Sequence, residues 1–457
     1  MNHQSRPFRI AFVASSLELA GAEKQVFYMA RALHRAGIEV HFFYLGSGGY
    51  YERLLREAGV SVHQIYVPNR PWLMLARLTK TLCGLRPQIV LAAQFGDLRY
   101  AAPVGRLCHA LVLGGIRSDG LYELNAHGRL SGWLAQSTHG LVANSCRATQ
   151  NLVFRGIKPQ KIEVLPNVID VQDFDRQSVL PSGISVPPDR IIVAAVGSLQ
   201  PCKRFDRFLE ALALARRSEP ALTGVIAGGD CGVYAELQAR ARALGLMPHF
   251  ASHHVVFLGE MDRVPALLTQ AAFLVLTSDY EGFPNVILEA MAARSPVISV
   301  PAGDAGLIVQ DGKTGYVVEA DDTRTMAEVM VQLAHSPERR RDLGEAGRKR
   351  VEQEYHCEPL AERLVGVFHR FASQNRRTSL CEWLEHNFAT KRAKNRQVFG
   401  RDGRDNATWH LKLDGQQSRP HQNGTGAPAL QDAGVASQTP SDSLSQSAIE
   451  NRGTTHE

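Results

Sequence analysis

Short apolar runs alternate with amphipathic helical stretches along this chain, and the alternation starts over once. No other feature constrains the fold as much. The first run, Arg9-Ile-Ala-Phe-Val-Ala14, is continuous rather than alternating, the pattern of a strand buried on both faces of a parallel sheet. A loop from Ser15 to Gly21 leads into a helix predicted over 22–36, closed by Gly37 as a C-cap, and a second strand over 39–44. Helices at 50–58, 72–84, 98–109, 126–138 and 146–155 then interleave with strands at 61–67, 88–93, 110–116, 140–144 and 161–165. Between Asp170 and Arg190 a polar stretch with three prolines (Pro181, Pro187, Pro188) reads as a linker. The rhythm resumes with strands at 191–196, 222–228, 255–258, 272–276, 297–300 and 315–318, and helices at 204–217, 233–244, 263–271, 323–334 and 338–353. Repeated βα units of this kind imply an α/β protein with two doubly wound, Rossmann-like sheets.

At 457 residues the chain exceeds one ordinary core, so two domains and an extension are expected. The first half is placed at 1–178 and the second at 188–355, followed by a helix over 356–372 that crosses back to the first half. The last stretch, 373–457, begins with a segment (376–404) that holds eight Lys or Arg against three acids, with Leu380, Trp383, Leu384 and Phe388 at helical spacing. From about residue 405 the composition turns to Gly, Ser, Gln, Asn and Thr, and a disordered tail is expected. The net charge of +6 is mild and suits anionic substrates or an anionic membrane surface; no nucleic-acid motif accompanies it, so no nucleic-acid partner is expected. Seven scattered cysteines without a C-x-x-C or Cys/His cluster argue against structural zinc and for a reduced, cytoplasmic protein. No apolar run reaches the ~18 residues of a membrane span. Arg9 leads straight into a strand, which leaves no room for a secretory leader.

The chemistry concentrates in Glu281-Gly-Phe-Pro-Asn-Val-Ile-Leu-Glu289, a loop carboxylate, a helix start and a second carboxylate within an apolar helix. Pro284 suits the first helical position, after which Asn285 to Ile287 present free N–H groups at the positive end of the helix dipole. Glu289 lies among Val286, Ile287, Leu288, Ala290 and Met291, where an ionised carboxylate needs a partner or a hydrogen-bond donor. A vicinal diol such as a ribose supplies two such donors. For Glu281 alone, an exposed acid on an amphipathic helix explains the residue equally well. The other half of an anion site follows the strand at 191–196: Gly197 permits close backbone approach, and Lys203 brings a point charge. In the first half, Gly21 stands at the strand-to-helix turn where ligands bind in open α/β sheets, though a helix-entry glycine reads the same way. The absence of G-x-G-x-x-G lowers a nicotinamide or flavin reading.

Taken in order, Gly21-Ala-Glu23, Ala143-Asn-Ser145, Leu165-Pro-Asn167-Val-Ile-Asp170, Val196-Gly-Ser-Leu199 through Lys203, Phe257-Leu-Gly259, Glu281-x7-Glu289-Ala-Met, Ser295-Pro-Val297 and Asp311-Gly-Lys-Thr-Gly315-Tyr resemble family 4 glycosyltransferases over residues 8–370 or so. The resemblance implies a GT-B fold, an acceptor domain followed by a donor domain, and retaining transfer of a sugar from a nucleotide diphosphate, UDP- or GDP-linked, to an acceptor hydroxyl. The acceptor is expected to be a growing glycan or lipid-linked glycan of cell-surface polysaccharide, lipopolysaccharide or glycolipid synthesis. By that pattern Glu289 binds the ribose, Glu281 faces the transferred sugar, Lys203 neutralises the diphosphate and Gly21 lies near the reacting phosphate. Gly282, Phe283 and Pro284 belong to the same donor loop, and Asn285 and Val286 supply amides. No metal or other cofactor is expected. Two departures stand out. Ser198 takes the place of a family arginine, leaving Arg204 or Arg117 as substitutes, and Gly115-Ile-Arg117-Ser-Asp119 keeps the aspartate of a His-Asp pair as Asp119 without the histidine. Asp119 is the catalytic candidate there. Other readings are a nucleotide-sugar epimerase, a glycan phosphorylase or a non-catalytic partner subunit on the same scaffold. The basic-apolar run Arg70-Pro-Trp72 to Lys80 and the segment 376–404 are candidates for peripheral contact with the inner face of the cell membrane.

Overall fold

The computed structural model describes residues 8–46, 48–128, 130–179, 189–247 and 254–398, with side chains as far as 388. The tail from about 405 and the prolines of the expected linker lie outside the described residues. Two sheets form within one compact unit. The first has seven strands: β1 (Arg9–Ala14), β2 (Glu39–Tyr44), β3 (Ser61–Gln64), β4 (Ile89–Ala92), β5 (Leu111–Ile116), β6 (Gly140–Ala143) and β7 (Ile162–Val164), in spatial order β3-β2-β1-β4-β5-β6-β7. The second has six: β8 (Ile191–Val196), β9 (Leu222–Ala227), β10 (Val255–Gly259), β11 (Phe273–Leu276), β12 (Val297–Ser299) and β13 (Gly315–Val317), in order β10-β9-β8-β11-β12-β13. Neighbouring strands pair in parallel throughout. The strand order reverses between β1 and β4 in one sheet and between β8 and β11 in the other. Loops leaving the carboxyl ends at such reversals splay apart and open a crevice.

The apolar strands read from the sequence are apolar because both faces are covered. In β1, Ile10 and Phe12 point to one core, shared with the helix Gly21–Arg35, while Ala11 and Val13 point to another, shared with the helices Pro71–Leu85 and Leu98–Leu107. The helix Leu360–Gln374 places Leu364, Phe368 and Phe371 in the first of these cores. The chain thus returns to its first half after completing the second sheet.

Several expectations need correction. The helix expected over 126–138 is two helices, Leu121–Ala126 and Leu130–Ser137, separated where Gly128 takes a positive φ of 49°. The expected linker begins with a helix, Val171–Ser178. Asp170 caps it by accepting the Asp173 N–H at 3.0 Å, and Phe174 buries its apolar contact. Its charged sequence hid one apolar anchor behind polar neighbours. The helix expected over 338–353 runs from Pro337 to Arg350 and gives way to a π-turn over Val351–Tyr355. In the basic segment, the helix Thr378–Val398 does not offer its apolar face to a membrane: Leu380, Leu384 and Phe388 are buried in the first core, and Trp383 stacks on Phe8 at 3.9 Å. In the Pro71–Leu85 helix, Leu78 and Leu82 cover the sheet, while Trp72 stays 81% exposed. Among the described residues, no helix is long and apolar enough to cross a membrane.

Candidate active site

A cleft of about 590 Å³ lies where the loops at the two strand reversals meet, in the range of a nucleotide-sized ligand. Of the residues singled out from the sequence, Gly21, Gly197, Lys203, Glu281, Phe283, Pro284, Asn285, Val286 and Glu289 line it. From the second half, the loop after β8 ends in a short turn, Pro201–Lys203, and delivers Lys203; the loop after β11 delivers Glu281. Their side chains meet, with Lys203 Nζ 2.7 Å from Glu281 Oε1, and the Ser278 hydroxyl donates to the same oxygen at 2.7 Å. The Thr277 hydroxyl donates to the Lys203 carbonyl at 2.9 Å and ties the two loops together.

The glutamate helix runs from Asn285 to Ala292, so Pro284 caps it from an extended conformation (ψ 103°) instead of occupying its first turn. The anion site at its tip is narrower than expected. The Ile287 N–H is taken by the Pro284 carbonyl at 3.1 Å, which leaves the amides of Asn285 and Val286 at the cleft. One turn on, Glu289 has the partner its apolar neighbours demanded, from the other half of the chain: Lys24 Nζ lies 2.6 Å from Glu289 Oε1. Burial alone would depress the Lys24 ammonium; the Glu289 carboxylate outweighs it and raises the group above the ordinary lysine value. The lysine is therefore charged at any physiological pH.

Asn285 joins the halves. Its Oδ1 accepts from Asn167 Nδ2 at 2.8 Å and Gln25 Nε2 at 3.2 Å, and its Nδ2 donates to the Gly21 carbonyl at 3.1 Å. A Cβ on Gly21 would sit 2.8 Å from Asn285 Nδ2, so any larger residue there would have to push the Asn285 side chain off its three hydrogen bonds. Gly282 does not line the cleft, but it has a similar duty, since a Cβ would fall 2.3 Å from the Ser118 carbonyl. Across the same seam Asp304 accepts the N–H groups of Cys146 and Arg147 at 2.8 and 3.0 Å, at the start of the helix Cys146–Phe154. Arg348 grips Asp175 through both nitrogens at 2.7 Å.

Two candidates fall elsewhere. Arg204 points its guanidinium at Asp206 (2.8 Å) and Asp279 (3.3 Å) and is not on the cleft lining, because its backbone turns through the left-handed region at φ 50°. Asp119 is also off the lining. Its Oδ1 accepts the Tyr122 N–H at 2.8 Å, and its carbonyl takes Asn151 Nδ2 at 2.8 Å, so it braces the first turn of the Leu121–Ala126 helix from just before the N-cap, Gly120. Arg117 is the substitute that does line the cleft. Its Nε donates to the Ala93 carbonyl at 3.3 Å, and burial pulls the guanidinium down to about 10, partly offset by Glu123. Among the described residues its Nη1 is buried without a partner, as are Asn144 Oδ1 and Asn167 Oδ1 on the same lining. Glu123 shapes the loop beneath them by accepting the N–H groups of Arg117, Ser118 and Gly120.

Sequence reasoning missed Lys24, Glu123 and Asn144 as contributors. The one available signal was Lys24 in the first turn after Gly21, where a cation opposes the helix dipole and therefore needs a local reason.

The family description "Glycosyltransferase Family 4" matches residues 19–173, and "Glycosyl transferases group 1" matches 181–350. Among curated relatives, the N-acetyl-alpha-D-glucosaminyl L-malate synthase of Bacillus anthracis is 34% identical over 115 residues, 25% of this chain and 30% of that protein. The D-inositol 3-phosphate glycosyltransferase of Jonesia denitrificans is 28% identical over 254 residues, 52% of this chain and 58% of that protein. The chain thus spans between about a third and just over half the length of these relatives. HepE of Anabaena, crystallised with UDP and glucose, superposes with a TM-score of 0.69 at 18% identity, over 79% of this chain and 99% of that one. TarM of S. aureus superposes with a TM-score of 0.62 at 14% identity, over 80% and 98%. Two parallel sheets with their strand reversals facing one cleft are the GT-B arrangement, and the chain belongs to the family 4 glycosyltransferases.

Proposed function

We propose that this protein transfers a sugar from a nucleotide diphosphate sugar to an acceptor hydroxyl, with retention at the anomeric carbon. One observation carries the reading: Lys203, Glu281, the Asn285 and Val286 amides and Glu289 line one cleft, which supplies a cation and amides for a diphosphate and a carboxylate each for a sugar and a ribose. Glu289 binds the ribose diol, and Glu281 orients hydroxyls of the transferred sugar. As the bond from C1 to the diphosphate oxygen breaks, Lys203 and the two amides take up the developing negative charge. The acceptor oxygen bonds to C1 from the same face, and its proton passes to the departing phosphate oxygen. Fixed cations and amides supply what a metal otherwise does, so no metal is required. HepE binds UDP with glucose, which favours a UDP-sugar as the first donor to try. The two curated relatives are named for acceptors that are small and anionic, malate and inositol 3-phosphate, which places such compounds beside glycan and lipid-linked acceptors in the first panel. Exposed Trp72 beside Arg70 and Arg77 supports peripheral contact with an anionic membrane, checked by salt-dependent sedimentation with vesicles.

The test is donor binding in Glu289→Ala. Loss of a charged hydrogen-bond pair weakens the nucleotide by about 2–3 kcal/mol, read by calorimetry with UDP. An unchanged dissociation constant removes Glu289 from the site. Release of free sugar and nucleotide without acceptor would instead favour an epimerase, phosphate-dependent breakdown a phosphorylase, and donor binding without turnover over a broad panel a non-catalytic subunit.

A further inference from the structure

Both glutamates assigned to the donor carry a lysine, one from each half of the chain. The Lys203–Glu281 pair lies within the second half, while Lys24 reaches Glu289 across the seam. The second contact sets up a competition. A ribose diol bound to Glu289 uses both carboxylate oxygens, and Lys24 Nζ sits on one of them at 2.6 Å. If the ribose takes that carboxylate, as the reading above holds, Lys24 loses its counter-charge, and an ammonium whose side chain is only 26% exposed gains by taking up another anion.

Few anions are at hand. Of the acids lining the cleft, Asp173 is engaged by Arg176 at 3.0 Å and Gln177 at 2.7 Å, and Glu281 by Lys203 and Ser278, while Glu260 and Asp262 are exposed in the loop after β10. Asp230 accepts three backbone N–H groups of the loop ahead of the Tyr234–Ala243 helix. The nucleotide itself brings the missing charge. Lys24 stands in the first turn of the helix that begins at Gly21, beside the Asn285 tip where the phosphates are expected. Among the described lining residues the second half offers that diphosphate one cation, Lys203, beside the two helix amides, since Ser198 is uncharged and Arg204 is committed to Asp206 and Asp279.

We infer that Lys24 is a donor-binding residue: it yields Glu289 to the ribose and moves to the diphosphate, so that nucleotide entry exchanges one inter-half ion pair for another. The halves then remain bridged while the donor is bound, with the nucleotide as part of the bridge.

The experiment compares a nucleoside with its diphosphate, uridine with UDP, in the full-length wild type and in Lys24→Met. The quantity read is the ratio of their dissociation constants, which isolates what the diphosphate contributes. In Lys24→Met uridine binds as well or better, because Glu289 is no longer contested, while the UDP advantage falls about tenfold or more. Lys24→Arg keeps most of it. A ratio that does not change overturns the inference, including the case where both ligands tighten together, which would make Lys24 only a latch on Glu289. If Lys24→Met does not fold, Lys24→Gln against Lys24→Arg decides on the same ratio. Failure of the wild type to bind UDP, or GDP with guanosine in a repeat, would fall on the proposed function instead.

Discussion

The two halves of the cleft share a topology yet use their charged groups in different ways. In the second half, two carboxylates that line the cleft meet lysines: Glu281 holds Lys203, and Glu289 holds Lys24 from across the seam, while Asp230 takes backbone amides. In the first half, three buried acids are occupied by backbone and hydroxyl donors, whereas Asp170 pairs with Arg31 at 2.6 Å and Glu23 takes the Gln94 side-chain amide at 3.0 Å. Glu123 takes three amides of the loop after β5, Asp97 takes the Ser15 hydroxyl and the Gln94 amide, and Asp119 takes the Tyr122 amide. An ion pair can be traded for a ligand, because a phosphate or a diol can replace either partner. An acid that holds a loop by its amides cannot be released without losing the loop. On the proposed reading, Glu281 and Glu289 make the second half the exchanging wall of the cleft and the loop held by Glu123 makes the first half the shaped one, with Lys24 and Arg117 as its cations among the described lining residues.

The largest effect that separates these roles is expected at Lys203. Removing a charge aimed at a departing oxyanion lowers turnover by roughly 10²–10³, about 3–4 kcal/mol. Lys203→Ala should show that loss in kcat with the melting temperature nearly unchanged, since the pair with Glu281 is part-exposed and Ser278 still serves the glutamate. A turnover within tenfold of wild type would mean that the second half is not the exchanging wall.

Legibility followed the same divide. Lys203, Glu281 and Glu289 could be read from the sequence because their setting is local: a strand end, a glycine, a helix start within a few residues. The strands were legible for a related reason, since burial on both faces writes itself as an uninterrupted apolar run. What could not be read depends on residues far apart. Lys24 and Glu289 are 265 positions apart, and nothing near Lys24 announces its partner. Asp119 looked catalytic because its motif position matched, while its bond to the Tyr122 N–H is a matter of backbone geometry that spacing does not encode. The helix Val171–Ser178 was hidden because a single aromatic, Phe174, does the packing that periodicity would otherwise report. The apolar face of the Thr378–Val398 helix was visible, but its cover, Phe8 and the first core, lies at the other end of the chain.

A second contrast is expected in pH dependence. Asp97 is buried, which raises its carboxyl to about 6 against the opposing Ser15 and Gln94 hydrogen bonds. Its folded value lies above the ~3.9 of an unfolded chain, so the stability tied to its proton is full below pH ~4 and is lost as pH rises through about 6. Asp97→Asn cannot undergo that loss. Its stability relative to wild type should therefore improve between pH 4 and 7.5, by no more than about 2–3 kcal/mol, measured by urea unfolding of both proteins. Asp206 in the second half has the opposite sign: burial would raise it, but Arg204 outweighs burial and holds it low. Its contribution is present above the unfolded value and fades as pH falls through the folded one, so Asp206→Asn should lose ground to wild type as pH rises. Two curves with the same slope would erase the distinction between amide-held and cation-held acids.

The smallest expected effect is at Asp119, and it bears most directly on which half reacts. If its carboxylate serves the Leu121–Ala126 helix, Asp119→Asn keeps an oxygen acceptor for the Tyr122 N–H and should leave turnover within about twofold, because the Asn side-chain oxygen accepts the same bond. Asp119→Ala removes the acceptor and should lower stability by about 1 kcal/mol. Since this brace sits two residues from Arg117, its loss can also loosen the loop that Glu123 holds, so a modest rise in acceptor KM with unchanged donor binding is consistent with bracing. Chemistry at the carboxylate would give a different signature. Asp119→Asn would then fall in kcat by orders of magnitude at unchanged melting temperature, and the first half would have to be counted as a reacting wall after all.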